Sequence, residues 1–346
     1  MLYTSNMYCH KHKPYKLNDI LYNNSLKNQL KNLSSHKEVP NMLINGVSGS
    51  GKRTFCYAFL NEIYGDEVHN LNSTKIQEGT TIIKYLHSIH HIEIDLSIYN
   101  TTERNIVINF IKDYISTYNI NTNSYKIIVF LNADKISIKF YHMLRRLIEK
   151  TMNTARYIFI SRNLSSIPQP IQSRLLTFKT KVLKKEECYS VIKDICNKED
   201  IPINTKEIDI ILKNSINIKK YYDLYHIINF TQLAYLGEKK DFKEPVHKDH
   251  EELNKIIKII TSKVITEPKM LNIREIIASK YKECCPIKNI LYYIHERLLD
   301  SKKISDEIKY SLVYLIADIE HKMKQGDKEL IYIEQYIFTV IHLLNS

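Results

Sequence analysis

Residues 42–54 read Met42-Leu43-Ile44-Asn45-Gly46-Val47-Ser48-Gly49-Ser50-Gly51-Lys52-Arg53-Thr54. The apolar residues at the start predict a short buried strand. A glycine, four residues and then Gly-Lys have the spacing of a phosphate-binding loop, whose backbone N–H groups surround the phosphates. The sequence after Lys52 is typical of a helix, so bound phosphate would lie at a helix N-terminus. The stretch therefore predicts an α/β domain that binds a nucleotide, and a plain glycine turn between strand and helix is the alternative.

The residue after the lysine departs from this motif. Ser or Thr normally follows the lysine and supplies a hydroxyl to Mg²⁺, whereas this chain has Arg53. Thr54 comes one residue later, about 100° further around the helix, so we do not expect it to replace that hydroxyl. Nucleotide binding and nucleotide hydrolysis are therefore separate questions for this chain.

Composition limits the class of protein. The 346 residues suffice for two or three domains. No apolar run reaches the roughly 18 residues of a membrane span, so we expect no membrane partner. The six cysteines contain no Cys-x-x-Cys pair, so we expect no metal site and reduced thiols inside a cell. A net charge of +12 favours a polyanionic partner, and a coding bias toward lysine is the alternative explanation.

Strand-like and helix-like segments alternate along the first half of the chain. The polar–apolar alternation at 91–96 predicts a half-buried strand, and the dense apolar run at 125–131 predicts a central parallel strand. Helix-like periodicity alone follows position 183, interrupted by a charged stretch without periodicity. The predicted boundaries are 1–180 for the α/β nucleotide-binding domain, 181–236 for a helical lid, 237–250 for a linker and 251–346 for a helical oligomerisation domain.

Several motifs occur in a specific order. The first two are the segment Lys11-His12-Lys13-Pro14 and the loop at 46–54. Three further motifs follow in this order: His142-Met143-Leu144-Arg145-Arg146-Leu147-Ile148-Glu149, then Ile167-Pro168-Gln169-Pro170-Ile171-Gln172-Ser173-Arg174-Leu175, and then Tyr281-Lys282-Glu283-Cys284-Cys285-Pro286. Over nearly the whole chain this order resembles the small subunits of AAA+ sliding-clamp loaders of the replication factor C type. The resemblance implies an α/β AAA+ P-loop domain with a parallel sheet, a small helical lid and an all-α C-terminal collar.

The resemblance also implies ATP or ADP as the bound nucleotide. Lys13 and Pro14 correspond to family residues near the adenine, and Gly46–Thr54 correspond to the phosphate-binding loop. In the lid, Asn217-Ile218-Lys219-Lys220 resembles Asn-Leu-Arg-Lys, which puts Lys219 in the place of a sensor arginine. Lysine keeps the charge and loses the bidentate geometry. A solvated surface lysine is the alternative for Lys219.

The half of the site that would hold metal differs from the family. The family's Asp-Glu-Ala-Asp is Leu131-Asn132-Ala133-Asp134 here, so a metal-holding carboxylate and the water-activating glutamate are absent, while Asp134 remains. Phosphoryl transfer depends on metal charge and on a positioned water. With Arg53 in place of the hydroxyl as well, we expect weak or no hydrolysis and regard Mg²⁺ at this site as doubtful. The family's polar sensor residue at a strand end corresponds to Arg162 or Asn163.

Four arginines are candidates for contacts beyond this chain. In the family, Ser-Arg-Cys directs an arginine into the nucleotide site of a neighbouring subunit, which makes Arg174 the expected catalytic arginine finger in trans. An interface salt bridge is the alternative. Arg104, at a predicted helix start, matches a position that contacts the DNA backbone in the family. Arg145 and Arg146 are further candidates for DNA contact, or for coupling that surface to the nucleotide site. Ion pairs with Glu149 are the alternative for the last two.

The resemblance therefore implies a subunit of a replication-factor-C-like clamp loader. Such a subunit would bind nucleotide, supply an arginine finger to a neighbour and help load a sliding clamp on primer–template DNA. It would act in a hetero-oligomer, expected to be a pentamer, in the nucleus, or at a viral replication site if the chain is viral. The complex would hydrolyse ATP, whereas the ATPase of this chain is expected to be degenerate. The alternatives are an autonomous P-loop ATPase acting on nucleic acid and a nucleotide-independent structural scaffold.

Overall fold

The computed structural model describes residues 7–36, 39–78, 81–99, 103–116, 125–136, 138–215, 221–236, 248–262, 266–283, 287–301, 304–325 and 329–345. The described residues up to position 236 form one compact unit, and those from position 248 onward form a second. The first unit contains a sheet and helices, and the second contains helices.

A seven-stranded sheet forms the centre of the first unit. Its strands are β1 (Met42–Asn45), β2 (Asn72–Glu78), β3 (Thr81–His87), β4 (His91–Asp95), β5 (Lys126–Leu131), β6 (Ala155–Ser161) and β7 (Leu176–Lys179). They lie in the order β2-β3-β4-β5-β6-β1-β7. The five neighbouring strands β4, β5, β6, β1 and β7 are parallel to one another, and β3 pairs antiparallel with both β2 and β4. Because parallel strands end at a common edge, the loops after β1, β4, β5 and β6 lie along the same side of the sheet.

The central parallel strands β1, β5 and β6 are mostly apolar and buried on both faces, whereas the edge strand β7 is largely exposed. The β5 residues from Ile127 to Phe130 are at most 1% exposed, although consecutive side chains point to opposite faces. Phe130 and Phe159 pack in one cluster with Phe140 and Leu144 of the helix between β5 and β6. The buried strands therefore hold the edge that carries the phosphate-binding loop at a fixed place.

Nine helices of the described residues belong to the first unit. They are α1 (Tyr8–Lys11), α2 (Asn24–Ser34), α3 (Lys52–Tyr64), α4 (Glu103–Ser116), α5 (Ile138–Lys150), α6 (Gln169–Gln172), α7 (Lys185–Lys198), α8 (Thr205–Asn214) and α9 (Leu224–Leu236). The last three follow the sheet and pack on one another. Asn204 and Glu207 form a reciprocal capping box that fixes the start of α8.

The second unit is a separate helical core. Its helices are α10 (Lys248–Ile260), α11 (Glu267–Lys282), α12 (Ile287–Leu299), α13 (Asp306–Gln325) and α14 (Glu329–Asn345). Isoleucines and leucines from all five helices meet in one cluster. Lys280 is buried there and forms ion pairs of 2.8 Å with Glu252 and with Glu283, which compensate for the cost of removing its charge from water. Among the described residues, no helix is both long and apolar enough to cross a lipid bilayer.

The fold class that the sequence predicts is confirmed. An α/β domain with a largely parallel sheet and a phosphate-binding-loop motif is followed by three helices and by an all-α C-terminal region. One local prediction is wrong, because the strand at 91–95 is buried rather than half-buried. Glu93 is 3% exposed, and the reason is an ion pair with Arg53 of α3 that is described below. The hairpin of β2 and β3 was not predicted.

Candidate nucleotide-binding site

The phosphate-binding loop connects the end of β1 to the start of α3. The N–H group of Gly46 donates to the carbonyl of Ser161 in β6 at 3.2 Å, which ties the loop to the sheet. Gly49 and Gly51 have φ angles of 67° and 80°, a left-handed conformation that favours glycine. A Cβ atom on Gly51 would also lie 2.2 Å from the hydroxyl oxygen of Tyr22, so the loop has no room for a larger residue.

Lys52 lies inside this loop and is 8% exposed. Its ammonium donates to the carbonyl oxygens of Gly46 at 2.8 Å and Val47 at 2.6 Å. Burial and the nearby charge of Arg162 lower its pKa from 10.5 to about 8, while the carboxylates of Asp134 and Asp223 act in the opposite direction. Lys52 is therefore a buried cation on the loop, as the motif requires.

Arg53 points away from the loop and pairs with a carboxylate of the sheet. Its guanidinium binds both carboxylate oxygens of Glu93 on β4, with Nε 3.0 Å from Oε2. The hydroxyl of Tyr57, one turn further along α3, donates to the same carboxylate. Burial alone would lower the pKa of Arg53, and the charge of Glu93 raises it overall. A bidentate ion pair therefore occupies the region where the motif would place a hydroxyl for metal.

The end of β5 lacks the groups that would hold or activate water on a metal. Leu131 stands beside Asp95 of β4 in the strand register. Asn132 adopts a left-handed φ of 50° and donates from Nδ2 to Oδ2 of Asp95 at 2.7 Å. The other oxygen of Asp95 accepts from the backbone and the hydroxyl of Ser97 at 2.9 and 2.7 Å. Asp95, the carboxylate beside Leu131 and Asn132, is thus committed to protein hydrogen bonds, and these residues do not fit a Mg²⁺ ion.

Asp134 and Arg162 meet at the same edge of the sheet. Oδ1 of Asp134 accepts from the backbone N–H of Arg162 at 2.9 Å. Asn163 accepts from the N–H and hydroxyl of Ser165 at 3.3 and 2.8 Å and thereby caps the turn that follows β6. Of the two candidate sensor residues, Arg162 carries a charge, and that charge lowers the pKa of Lys52.

A cavity of about 460 Å³ adjoins the loop within the first unit. The N-terminal segment, the loop and the helices α7 and α9 provide its walls. The lining residues are Cys9, Lys11, His12, Lys13, Pro14, Tyr15, Asp19, Leu21, Tyr22, Gly49, Gly51, Thr54, Val191, Asp194, Ile195, Lys198, Leu224, Tyr225 and Ile228. The volume and the largely apolar lining suit a purine nucleoside whose phosphates reach the loop.

Three side-chain contacts lie at or beside the lining of this cavity. Lys11 and His12 both contact the carboxylate of Glu199, which lies just after α7. Lys198 pairs with Asp194 within α7 at 2.6 Å. The two contacts with Glu199 join the N-terminal segment to the end of α7, and both elements line the cavity.

The structure brings together most of the nucleotide-site residues that the sequence predicts. Lys13 and Pro14 line the cavity, and the ammonium of Lys13 lies 4.3 Å from the ring centroid of Tyr57. Burial and the charge of Arg53 lower the pKa of Lys13 to about 8. Thr54 lines the cavity rather than the side of the sheet where metal would bind. Lys219 lies outside the described residues, so its sensor role stays a prediction.

The arginine predicted to act in a neighbour's site lies apart from this cavity. Arg174 pairs with Glu149 of α5 at 2.7 Å and donates to the carbonyl of Pro170 at 2.6 Å. Arg145 donates to the same Glu149 oxygen at 3.1 Å. Arg146 is exposed, and the side chain of Arg104, which belongs to α4, lies outside what the structure describes.

The sequence analysis missed several residues of the site. Tyr22 packs against the loop, and Asp223 and Tyr225 come from the start of α9. The signal for the last two was an aspartate directly before a helix, the usual residue type at a helix N-cap. The helix itself begins at Leu224.

Comparisons with known proteins agree with the motifs. The chain is 26% identical over 339 residues to replication factor C subunit 3 of Arabidopsis thaliana, covering 94% of each chain. It is 24% identical to subunit 3 of Homo sapiens, covering 94% of this chain and 93% of the other, and 24% identical to subunit 5 of Saccharomyces cerevisiae, covering 97% and 98%. No protein-family model matches the chain.

Among solved structures, RuvB of Thermotoga maritima matches 73% of this chain and 82% of its own with a TM-score of 0.45 and 12% identity. The Aeropyrum pernix Orc1 protein in complex with DNA matches 82% and 79% with a TM-score of 0.46 and 11% identity. The sequence relatives span the phosphate-binding loop, the lid and the C-terminal helices together. The chain is thus similar, over 94–97% of its length, to subunits 3 and 5 of replication factor C.

Proposed function

We propose that this chain is a subunit of a replication-factor-C-like clamp loader. The observation that carries the proposal is the colinear similarity to replication factor C subunits over 94% of the chain. A phosphate-binding loop with a buried lysine beside a base-sized cavity supports the ATP-binding part of this function. The implied setting is DNA replication in the nucleus.

The chain would bind ATP or ADP with little hydrolysis of its own. Arg53 and Glu93 form an ion pair where a hydroxyl would hold metal, and Asn132 and Asp95 bind each other where a glutamate would activate water. Leu131 supplies no carboxylate. Without a neutralising metal and a positioned water, phosphoryl transfer should be slower by several orders of magnitude.

Arg174 would complete the ATP site of a neighbouring subunit. Its side chain is about one-third exposed and forms an ion pair with Glu149. Because Glu149 is also exposed, water screens this ion pair and makes it weak. A phosphate in a neighbour's site would offer a stronger, charge-assisted contact. An arginine supplied in trans typically accelerates hydrolysis by about 10³-fold or more.

Partners would include the other loader subunits, a sliding clamp and primer–template DNA. On α13, Tyr310, Val313 and Tyr314 form an apolar stripe at three- and four-residue spacing, and the two tyrosines are 71% and 81% exposed. Such a stripe suits a helical neighbour. Arg145, Arg146 and Arg104 would face the DNA backbone, so DNA binding should depend on salt and little on sequence.

The test is purification of the tagged chain from its native source followed by native mass spectrometry. A discrete heteropentamer with other AAA+ chains is the expected result. In that complex, Arg174→Ala should lower DNA- and clamp-stimulated ATPase by about 10³-fold at the neighbour's site, whereas the matched variant Arg145→Ala should leave turnover at saturating DNA nearly unchanged. A monomer or a homohexamer would contradict the proposal, and a pentamer insensitive to Arg174→Ala would refute the finger alone.

A further inference from the structure

An acidic residue of the lid lies against the phosphate-binding loop. A Cβ atom on Gly49 would lie 1.9 Å from Oδ1 and 2.5 Å from Oδ2 of Asp223, so the carboxylate is in contact with the Gly49 backbone. Asp223 is 4% exposed. The N–H of the next residue, Leu224, donates to the carbonyl of Gly49 at 3.1 Å. The start of α9 therefore closes directly on the loop that would hold phosphate.

Helix capping explains only part of this arrangement. Oδ1 of Asp223 accepts from the backbone N–H groups of Tyr225 at 2.9 Å and His226 at 3.4 Å, the geometry of an N-cap. Asparagine and serine cap helices about as well as aspartate does. A negative charge is thus not required by the cap, although it lies beside a loop that would bind an anion.

The charge of Asp223 acts on the buried lysine of the loop. The ammonium of Lys52 donates to the loop's own carbonyls, and Asp223 and Asp134 are the carboxylates near enough to favour its charged form. Nucleotide phosphates would bring negative charge to the same lysine. Asp223 and phosphate therefore compete for one cation, and at close range the two anions repel each other.

We propose that Asp223 is an internal competitor of the nucleotide's phosphates: it holds the lid on the empty loop and weakens binding of nucleoside di- and triphosphates. This inference rests on the proposed nucleotide binding. Two consequences follow from the charges. Nucleotide entry displaces the lid from Gly49, and the more highly charged triphosphate is disfavoured more than the diphosphate.

The test is calorimetric titration of the full chain with ADP and with a non-hydrolysable ATP analogue. Asp223→Asn retains the cap and the shape and removes the charge, so affinity should rise about tenfold, the size expected for one partly screened charge, and more for the triphosphate. The matched control is Asp209→Asn, which removes an exposed carboxylate of α8 that pairs with Lys185 at 2.7 Å and does not line the cavity. We expect less than about a twofold change in affinity there.

Thermal unfolding of the same variants shows whether the fold is retained, and Asp223→Ser provides a second capping residue if the asparagine variant does not fold. Unchanged or weaker binding by a folded Asp223→Asn or Asp223→Ser variant would overturn the inference and leave the proposed nucleotide binding intact. If neither the wild type nor the charge-removed variants bind nucleotide, the proposed nucleotide binding fails, and the inference fails with it. Two results together would support both the proposed nucleotide binding and the inference about Asp223. Lys52→Ala would abolish nucleotide binding, and Asp223→Asn would raise the affinity for nucleotide.

Discussion

The phosphate-binding half and the metal-binding half of the site differ in what their side chains contact. In the phosphate half, Gly49 and Gly51 line a cavity that is large enough for a nucleoside, and the buried Lys52 binds only carbonyls of the loop. In the metal half, Arg53 binds Glu93, and Asn132 binds Asp95. The first half has kept groups that a ligand could use, whereas the second has replaced them with pairs that satisfy each other.

This difference shows that nucleotide binding and hydrolysis rest on separable sets of residues. Binding requires a glycine-rich backbone and one cation, which lie on a single strand–loop–helix unit. Hydrolysis requires carboxylates from a different strand and a hydroxyl from the helix. A subunit that needs nucleotide for its shape can therefore lose the second set, provided that each remaining buried charge gains a partner.

The largest expected effect is the loss of stability in Glu93→Gln, which breaks the ion pair of the metal half. Glu93 is the buried partner of Arg53, and the amide would lose the charge and turn a donor toward the guanidinium. Because breaking a buried pair leaves a charge uncompensated, and because Arg53 is partly exposed, we expect a loss of about 2–3 kcal/mol in the free energy of unfolding. Urea denaturation followed by circular dichroism measures it.

The matched controls for this variant are a second ion pair and a double variant. Glu149→Gln removes an exposed carboxylate that also binds arginine, and it should leave the unfolding midpoint unchanged. Arg53→Thr combined with Glu93→Gln should recover part of the stability, because no unpaired charge is then buried. Equal stability of Glu93→Gln and the wild type would show that the pair is a surface contact and that the metal half has no structural role.

The sequence was sufficient to predict the phosphate half because its signal is local. The strand, the glycines, Lys52 and the helix are consecutive, and the structure has β1 at 42–45 and α3 from position 52. The fold class followed from the same kind of pattern, since apolar runs at 126–131 and 155–161 can be recognised without knowing their neighbours. The absence of the family's carboxylates at Leu131 and Asn132 was also visible.

The sequence did not reveal what replaced those carboxylates. Arg53 and Glu93 are 40 residues apart, and Asn132 and Asp95 are 37 apart, so no local pattern links them. Glu93 alternates with apolar residues and therefore resembled the solvent-facing side of a strand. Asp223 was missed for a related reason: its contact with Gly49 arises only when the lid closes on the loop.

The next prediction, of intermediate size, is a pH dependence of the phosphate half alone. The pKa of Lys52 in the empty site is about 8, and bound phosphate favours the protonated form. Below pH 8 the lysine is charged before nucleotide binds, and above pH 8 binding must also take up a proton. Affinity for ADP should therefore fall about tenfold between pH 7 and pH 9.

Two variants assign this dependence to a residue. Lys52→Arg stays charged throughout and should flatten the profile. Lys13→Arg changes a cavity-lining lysine whose pKa is also about 8, and it should leave most of the fall in affinity in place. A wild-type profile that is flat from pH 7 to pH 9 would show that Lys52 does not take up a proton when nucleotide binds.

The smallest expected effect is the response to magnesium, and it tests the metal half directly. At a site with metal ligands, Mg²⁺ bridges the nucleotide's phosphates to a hydroxyl and a carboxylate, so removing it weakens binding. Here the residues at those positions are Arg53 and Leu131, and Asp95 already accepts three hydrogen bonds. Affinity for ADP in excess EDTA and in millimolar Mg²⁺ should therefore agree within about threefold.

The variant Arg53→Thr with Leu131→Asp restores both ligand types and should introduce a preference for Mg²⁺, provided that Glu93→Gln is added to avoid an unpaired buried carboxylate. If the affinity of the wild-type chain for ADP falls tenfold or more in EDTA, other oxygens hold the metal. The metal half would then still bind a ligand, as the phosphate half does, despite the contacts that its side chains make with each other.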